Sequence, residues 1–390
     1  MSTRPRLLTA RFVLVVASGV CYFLALGVVL PNVPRYVKHV LGGSSVEVGI
    51  AVGTLFVGAV ILRPIAGRIG DRYGRRILVI GGAATVAVSL FGYALAHSIV
   101  ALVAARLLTG LGEAAFFVGA ATMITDLAPV ERRGEAISYW SVAVYTGFAF
   151  GPAIGELVQR AYGYTTTWFV AGALAVGAVL LGLCTREAPR AAYAGEKTPL
   201  IHRRALVPGI VLFCGLIATA GFGAFIPLYS PDVGIENVAI IFFVFGGLVL
   251  LIRMIGARLP DILGGVRAAT IALIATAIGM GIIAVWASAL GLFAGVLVFG
   301  LGSAFLYPAI LLLALENSRI SERGAVIGTV SSCFDLSQGV GSLIVGGAAA
   351  VIGYRGAFGV SAVAALIGLV LLWRVVVPIR HRIAVTEDLG

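Results

Sequence analysis

Arg63, Arg68, Asp71 and Gly74 return as Arg253, Arg258, Asp261 and Gly264, each displaced by 190 residues. The same displacement carries Gly110 and Gly112 onto Gly300 and Gly302, Arg133 and Gly134 onto Arg323 and Gly324, and Gly163 and Tyr164 onto Gly353 and Tyr354. A repeat of this length restricts the chain to folds built from two copies of one module. Between the markers lie apolar runs. Each has the length of about 20 residues that a helix needs to cross roughly 30 Å of hydrocarbon.

The expected spans are 12 to 31, 46 to 66, 77 to 96, 99 to 123, 135 to 159 and 165 to 184, then 206 to 228, 237 to 256, 268 to 287, 289 to 314, 325 to 349 and 355 to 377. With 60% hydrophobic and 12% charged residues and a mean hydropathy of +1.07, the chain has too little polar surface to cover a soluble globule. The expected fold is therefore an all-α membrane protein, twelve transmembrane helices in two pseudo-symmetric six-helix bundles. Residues 1–184 form the first bundle, 185–205 a cytoplasmic linker, and 206–390 the second bundle with a short cytoplasmic tail. The linker carries two prolines and mixed charge and is too short for a soluble domain. It tethers two bundles that must move relative to one another.

The net charge of +11 invites a nucleic-acid reading, but its distribution opposes one. With the N-terminus in the cytoplasm, all but five of the 28 Lys and Arg fall on the inner side. The exceptions are Arg35, Lys38, Arg160 and Arg355 outside and Arg106 within a span. This bias orients the chain with both termini cytoplasmic and accounts for the basic excess through membrane topology and anionic lipid. Lysine occurs only at Lys38 and Lys197, a usage that points to a GC-rich bacterial genome and hence to a bacterial plasma (inner) membrane. The first apolar run lacks a small-residue cleavage pattern and is read as a retained helix. Cys21, Cys184, Cys214 and Cys333 sit in or beside four different spans without metal-ligand spacing, so no metal site is expected. No G-x-x-x-x-G-K-[ST] loop occurs, and no nucleophile, base and oxyanion-donor set can be assembled. The chain is accordingly read as a non-enzyme without cofactors.

Four groups of residues carry mechanism. Gly67, Asp71, Arg72, Gly74, Arg75 and Arg76 lie in the segment GRIGDRYGRR between the second and third spans. There a carboxylate can meet the positive end of a helix while the arginines bind carboxylates or lipid phosphates, a latch between the halves. In the fourth span, Arg106 lies about 10 Å below the outer end at 1.5 Å per residue. Glu113 is two turns deeper on nearly the same face. Ionisable groups at that depth need partners or water. The alternatives are a proton-carrying Glu113 tuned by Arg106, or a fixed structural Arg106–Glu113 pair.

In the fifth span Gly147, Gly151, Pro152 and Gly155 combine small residues at four-residue spacing with a missing backbone donor, which predicts a kinked interface between the halves. Glu156 follows, near the outer end, where it can reach interfacial water. Asp335 stands near the midplane of the eleventh span with no basic neighbour in sequence, which suits proton exchange or pairing with a cation. A neutral acid making a helix-to-helix hydrogen bond is the alternative. The repeat also relates Tyr145 to Asp335, Glu113 to Ser303 and Phe117 to Tyr307. If matching positions surround one cavity, these six line it, and Tyr22 of the first span is a further candidate. Aromatic faces with two carboxylates suit an amphiphilic or cationic molecule.

The loop GRIGDRYGRR resembles the G-x-x-x-D-R-x-G-R-R loop of the major facilitator superfamily, and the likeness extends over essentially the whole chain. In the second copy Asp261 is kept, but Pro260 intervenes and arginines are few. Arg106-x-x-x-Gly110 is similar to that family's fourth-helix pattern, whose arginine is associated with proton coupling. The Gly147 to Gly155 segment is similar to a motif found mainly in its proton-coupled exporters, although Glu156 replaces the last glycine. The likeness to the twelve-helix drug:proton antiporter branch implies a monomer that exports a small amphiphilic substrate in exchange for protons, the loop holding the inner gate shut. Each proton descending 100 mV supplies roughly 2.3 kcal/mol for such work. The rival readings are import or export of a defined metabolite such as a sugar, an amino-acid-like compound or a siderophore, and a non-transporting membrane receptor or lipid scramblase.

Overall fold

The computed structural model describes residues 7–129, 132–187, 202–256, 259–316 and 322–378. Residues 188–201 of the expected linker and 379–390 of the expected tail lie outside the described residues. So do the side chains of Asp71 and Asp261. Within the described residues the chain is all-α. The first half comprises α1 (Ala10–Val29), α2 (Ser45–Tyr73), α3 (Arg75–Tyr93), α4 (Ile99–Leu127) and α5 (Arg133–Cys184). The second comprises α6 (Arg203–Tyr229), α7 (Ala239–Ile255), α8 (Gly265–Val285), α9 (Ala289–Leu315) and α10 (Arg323–Leu371). Among the described residues nine helices are long and apolar enough to span a bilayer, and the helix over Ala239–Ile255 is a shorter apolar one. Two of the nine, over Glu135–Cys184 and Ala325–Val376, are 50 and 52 residues long, enough for two crossings each. Twelve crossings result.

The two long helices fold back at matching glycines. Gly163 has φ 77° and ψ 179°, and Gly353 has φ 73° and ψ 176°, a conformation open essentially to glycine alone. The repeat therefore extends to the backbone. It also reaches the helix caps: Ser98 Oγ accepts from Ala101 N–H at 3.2 Å, and Ser288 Oγ accepts from Gly291 N–H at 3.0 Å, one at the start of each fourth crossing. Large apolar side chains turn outward throughout, Val100 at 79% exposure and Val351 at 84% among them, which lipid accommodates and water would not.

Two compact units divide the chain. The first is Met1–Gly43, Thr54–Gly195 and Asn237–Gly246; the second is Ser44–Gly53, Glu196–Glu236 and Gly247–Gly390. Thus α2 and α7 each give their opening residues to one unit and the remainder to the other. In the first unit α1 packs along α5, and in the second α6 packs along α10. Within the second unit Ser342 Oγ of α10 donates to the Gly49 carbonyl of α2 at 2.9 Å.

Candidate functional site: a buried acid–arginine pair and its aromatic wall

Close approach of α2 and α4 creates the site. Gly58 faces the backbone of Leu107 and Leu111, and Gly110 faces the backbone of Leu55 and Ala59, so neither position has room for a side chain. Three residues beyond Gly110 stands Glu113, and five beyond Gly58 stands Arg63. Arg63 Nη2 lies 3.2 Å from Glu113 Oε2 and 3.4 Å from Oε1. Its guanidinium carbon also lies 5.0 Å from the centre of the Phe117 ring, one turn after Glu113. Glu113 is buried, at 9% exposure.

The carboxylate's arginine is therefore Arg63, not Arg106. Arg106 is buried on α4 itself, seven residues away, whereas side chains on one helix meet at three or four residues. Sequence reasoning placed Arg63 among the inner-side charges although it lay inside the expected second span, 46 to 66. An arginine within a span calls for a counter-charge, and that signal was available.

Around the pair stand rings from three helices. Tyr22 of α1 stacks on Phe116 with centroids 3.8 Å apart and planes within 10°. Phe117 meets Phe23 edge-on at 6.4 Å and Trp140 of α5 at 5.6 Å. Tyr22 is fully buried, yet its hydroxyl meets no hydrogen-bond partner among the described residues. Phe23, Phe116 and Trp140 carried no sequence signal of their own. Tyr145 lies further along α5, its ring 6.4 Å from Phe148.

The second unit places its own candidates together at α9 and α10. The Tyr307 hydroxyl is 3.1 Å from Ser331 Oγ, and its ring meets Phe334 edge-to-face at 5.9 Å. Asp335, next in sequence, is 1% exposed. Ser303 lies one turn before Tyr307, and its buried Oγ meets no partner among the described residues. One turn after Asp335, Gln338 Nε2 donates to the Leu216 carbonyl of α6 at 3.4 Å.

The loop GRIGDRYGRR makes its visible contacts inside the first unit. Gly74, with φ 107°, ends α2 and caps α3. The first amides of α3, those of Arg75 and Arg76, donate to the Glu187 carboxylate at 2.7 and 3.0 Å, so the helix terminus holds an anion of its own chain. Arg75 Nε is 3.6 Å from Asp126 Oδ2, and Arg76 donates to the Leu183 carbonyl at 2.7 Å. The Arg72 guanidinium lies over Tyr73 at 5.3 Å, and Gly67 faces open space. These contacts join α2, α3, α4 and the end of α5; the Asp71 side chain, the carboxylate of the expected latch, lies outside the described residues.

The glycine motif of α5 is likewise directed inward. Gly147 faces Phe23, Gly151 faces Gly27, and Gly155 faces Val28 and Asn32, all on or just beyond α1. These glycines form a close seam between α1 and α5, while Ala149 and Phe150 of the same stretch meet Gly246 and Phe243 of α7. Pro152 stays within the helix, and the non-helical backbone comes only at Gly163. Glu156 does not reach water. At 2% exposure its two oxygens meet Arg35 Nη1 at 2.5 Å and Arg160 Nε at 2.8 Å.

A twelve-crossing duplicated helical bundle with an ion pair sealed at membrane depth defines a membrane transporter. The family model of the Major Facilitator Superfamily matches residues 15–317 and again 210–388, and the chain belongs to that superfamily. It is 29% identical over 381 residues to an uncharacterized MFS-type transporter of Burkholderia pseudomallei strain 1106a, covering 93% of this chain and 91% of that one. A similar relative from Salmonella typhimurium strain LT2 is 29% identical over 369 residues, covering 89% and 91%. Among solved structures, a nucleoside transporter NupG variant superimposes with a TM-score of 0.80 at 13% identity over 94% of this chain and 99% of that one. A D-xylose-proton symporter gives 0.78 at 15% identity over 93% and 97%.

Proposed function

We propose that this transporter exports a small amphiphilic or cationic molecule across a bacterial plasma membrane in exchange for protons, both termini being cytoplasmic. The observation that carries the reading is Arg63 held between Glu113 and the face of Phe117. That guanidinium stands where a substrate cation would stand, with a carboxylate for its charge and a ring for its plane. Glu113 can be neutralised by Arg63, by a substrate cation or by a proton, but by one of them at a time. Mutual exclusion at one carboxylate is the thermodynamic condition for exchange rather than cotransport.

In this reading Glu113 and Asp335 carry protons, and Arg106 adds a fixed positive charge on α4. Tyr22, Phe117, Tyr145, Ser303, Tyr307 and Asp335 contact the substrate. The direction follows the α5 glycine motif and its likeness to exporters. The gate residues of GRIGDRYGRR hold the inner gate shut in the outward-open state, as the likeness to the family implies, and the α5 glycines supply the close packing on which it moves. Proteoliposomes with an imposed pH gradient and a fluorescent lipophilic cation test the proposal. Cation-dependent proton flux should appear and be abolished by Glu113→Gln or Asp335→Asn; full flux in both variants removes these acids from the mechanism.

A second reading, transport of a defined polar metabolite, is favoured by the buried, unpartnered hydroxyls of Tyr22 and Ser303, which would suit a hydroxyl-bearing ligand. The similar solved structures named for nucleoside and D-xylose transport lend it weight. A thermal-shift screen separates the two: several unrelated cations raising the melting temperature favour the first, one nucleoside or sugar alone the second.

A further inference from the structure

At the junction of α3 with the end of α5, an open cavity of about 570 Å³ is lined by Tyr73, Arg76, Ile77, Ile80, Gly81, Arg186 and Glu187. We propose that it binds the phosphodiester headgroup of an acidic phospholipid, with one acyl chain laid along α3. The site is separate from the Arg63–Glu113 pair, although its Arg76 also belongs to the gate loop named above.

Its chemistry divides along the helix. Arg76, Ile77, Ile80 and Gly81 share one face of α3, so a basic end passes into an apolar trough within about two turns. Ile77 is 54% exposed, and a side chain at Gly81 would meet nothing within 4 Å, so among the described residues the trough is open at both positions. Tyr73, 58% exposed, stands at the rim, the position amphipathic rings favour at headgroup depth.

The basic end is poised for a phosphate. Among the described residues Glu187 is the only acid lining the cavity, and the Arg75 and Arg76 amides already hold both its oxygens. Among the described side chains two guanidinium groups thus face one carboxylate. Arg76 donates through Nη2 to the Leu183 carbonyl, while its buried Nε meets no acceptor among the described residues. That Nε is closed to solvent and so to an anion in the cavity; the charge-assisted contact a phosphate oxygen can take is with the guanidinium's Nη atoms. Exposed Arg186 can reach the same anion. Free phosphate would satisfy the arginines but leave the trough empty. A zwitterionic lipid would fill the trough but bring its own cation to a basic site. An acidic phospholipid fits both ends.

Native mass spectrometry of the full chain in detergent tests this, with phosphatidylglycerol and phosphatidylcholine of identical acyl chains and glycerol phosphate as the headgroup without tails. Phosphatidylglycerol should be retained about tenfold over phosphatidylcholine, the ratio expected from one to two arginine contacts at a membrane surface. Arg186→Gln should lower that ratio severalfold, and Arg76→Gln with Arg186→Gln should abolish it. Gly81→Phe, which fills the trough and leaves the arginines in place, should cut retention of the lipid without changing that of glycerol phosphate. Equal retention of the two lipids, or a preference unchanged in Arg186→Gln, would overturn the proposal. So would lipid retention unaffected by Gly81→Phe, which would leave a site for free phosphate only. Should the double variant melt early, Arg186→Gln and Gly81→Phe decide the matter on their own.

Discussion

Arg63 and Glu113, fifty residues apart in sequence and on different helices, form a two-pronged ion pair in which one guanidinium nitrogen lies 3.2 and 3.4 Å from the two carboxylate oxygens. Each charge makes the other tolerable at that depth. Removing Arg63 alone, by Arg63→Met, leaves a buried carboxylate without its counter-charge and should cost about 3–5 kcal/mol. The double change Arg63→Met with Glu113→Leu should recover most of the stability while remaining inactive in transport. Thermal unfolding in detergent, read beside proton flux, checks both halves of this expectation.

The fold-back at Gly163 and Gly353 depends on a backbone conformation closed to other residues. Gly163→Ala and Gly353→Ala should each destabilise by about 1–3 kcal/mol, although an added methyl would meet nothing within 4 Å at either site. Similar losses in the two variants are expected from the repeat. Melting temperatures of the single and double variants measure them.

Along the seam of α1 and α5, Gly151 would bring a side chain to 2.6 Å from the Gly27 Cα, whereas one at Gly92 meets nothing within 4 Å. Gly151→Ala should therefore cost about 1–3 kcal/mol as the helices are forced apart. Gly92→Ala should be neutral or mildly stabilising, since alanine favours the helix by about 1 kcal/mol. Parallel chemical denaturation of the two variants provides the comparison.

Glu156 balances two arginines at the outer end of the first unit. Restoring the family pattern with Glu156→Gly should destabilise rather than improve the protein, because Arg35 and Arg160 lose their shared anion. Arg35→Gln should be the costlier single change: the Arg35 side chain is 11% exposed and the Arg160 side chain 45%, where water screens the interaction. Melting temperatures in low and high salt should separate the two.

Much of the fold was legible because its determinants are local. Gly163 and Gly353 mark a backbone need, Ser98 and Ser288 cap their own helices, and apolar runs report lipid directly. The site was legible only in part. Glu113, Phe117, Tyr307 and Asp335 stand out by their chemistry, but the residue that pairs with Glu113 is fixed by the Gly58 and Gly110 contacts between helices, which no local pattern encodes. For the same reason the α5 glycines announced close packing without saying that α1 would supply it. Glu156 read as a departure from a motif; Arg160, four residues on along the same helix, is a partner that local spacing encodes, whereas Arg35 comes from beyond α1 and is not.

Exchange at a single carboxylate makes a direct demand on proton counting. Purified transporter in weakly buffered detergent, titrated with a lipophilic cation it binds, should release up to one proton per molecule bound at a pH where Glu113 is partly protonated, and none once Glu113→Gln is introduced. Binding with no proton release at any pH, or release that persists undiminished in Glu113→Gln, would contradict the account.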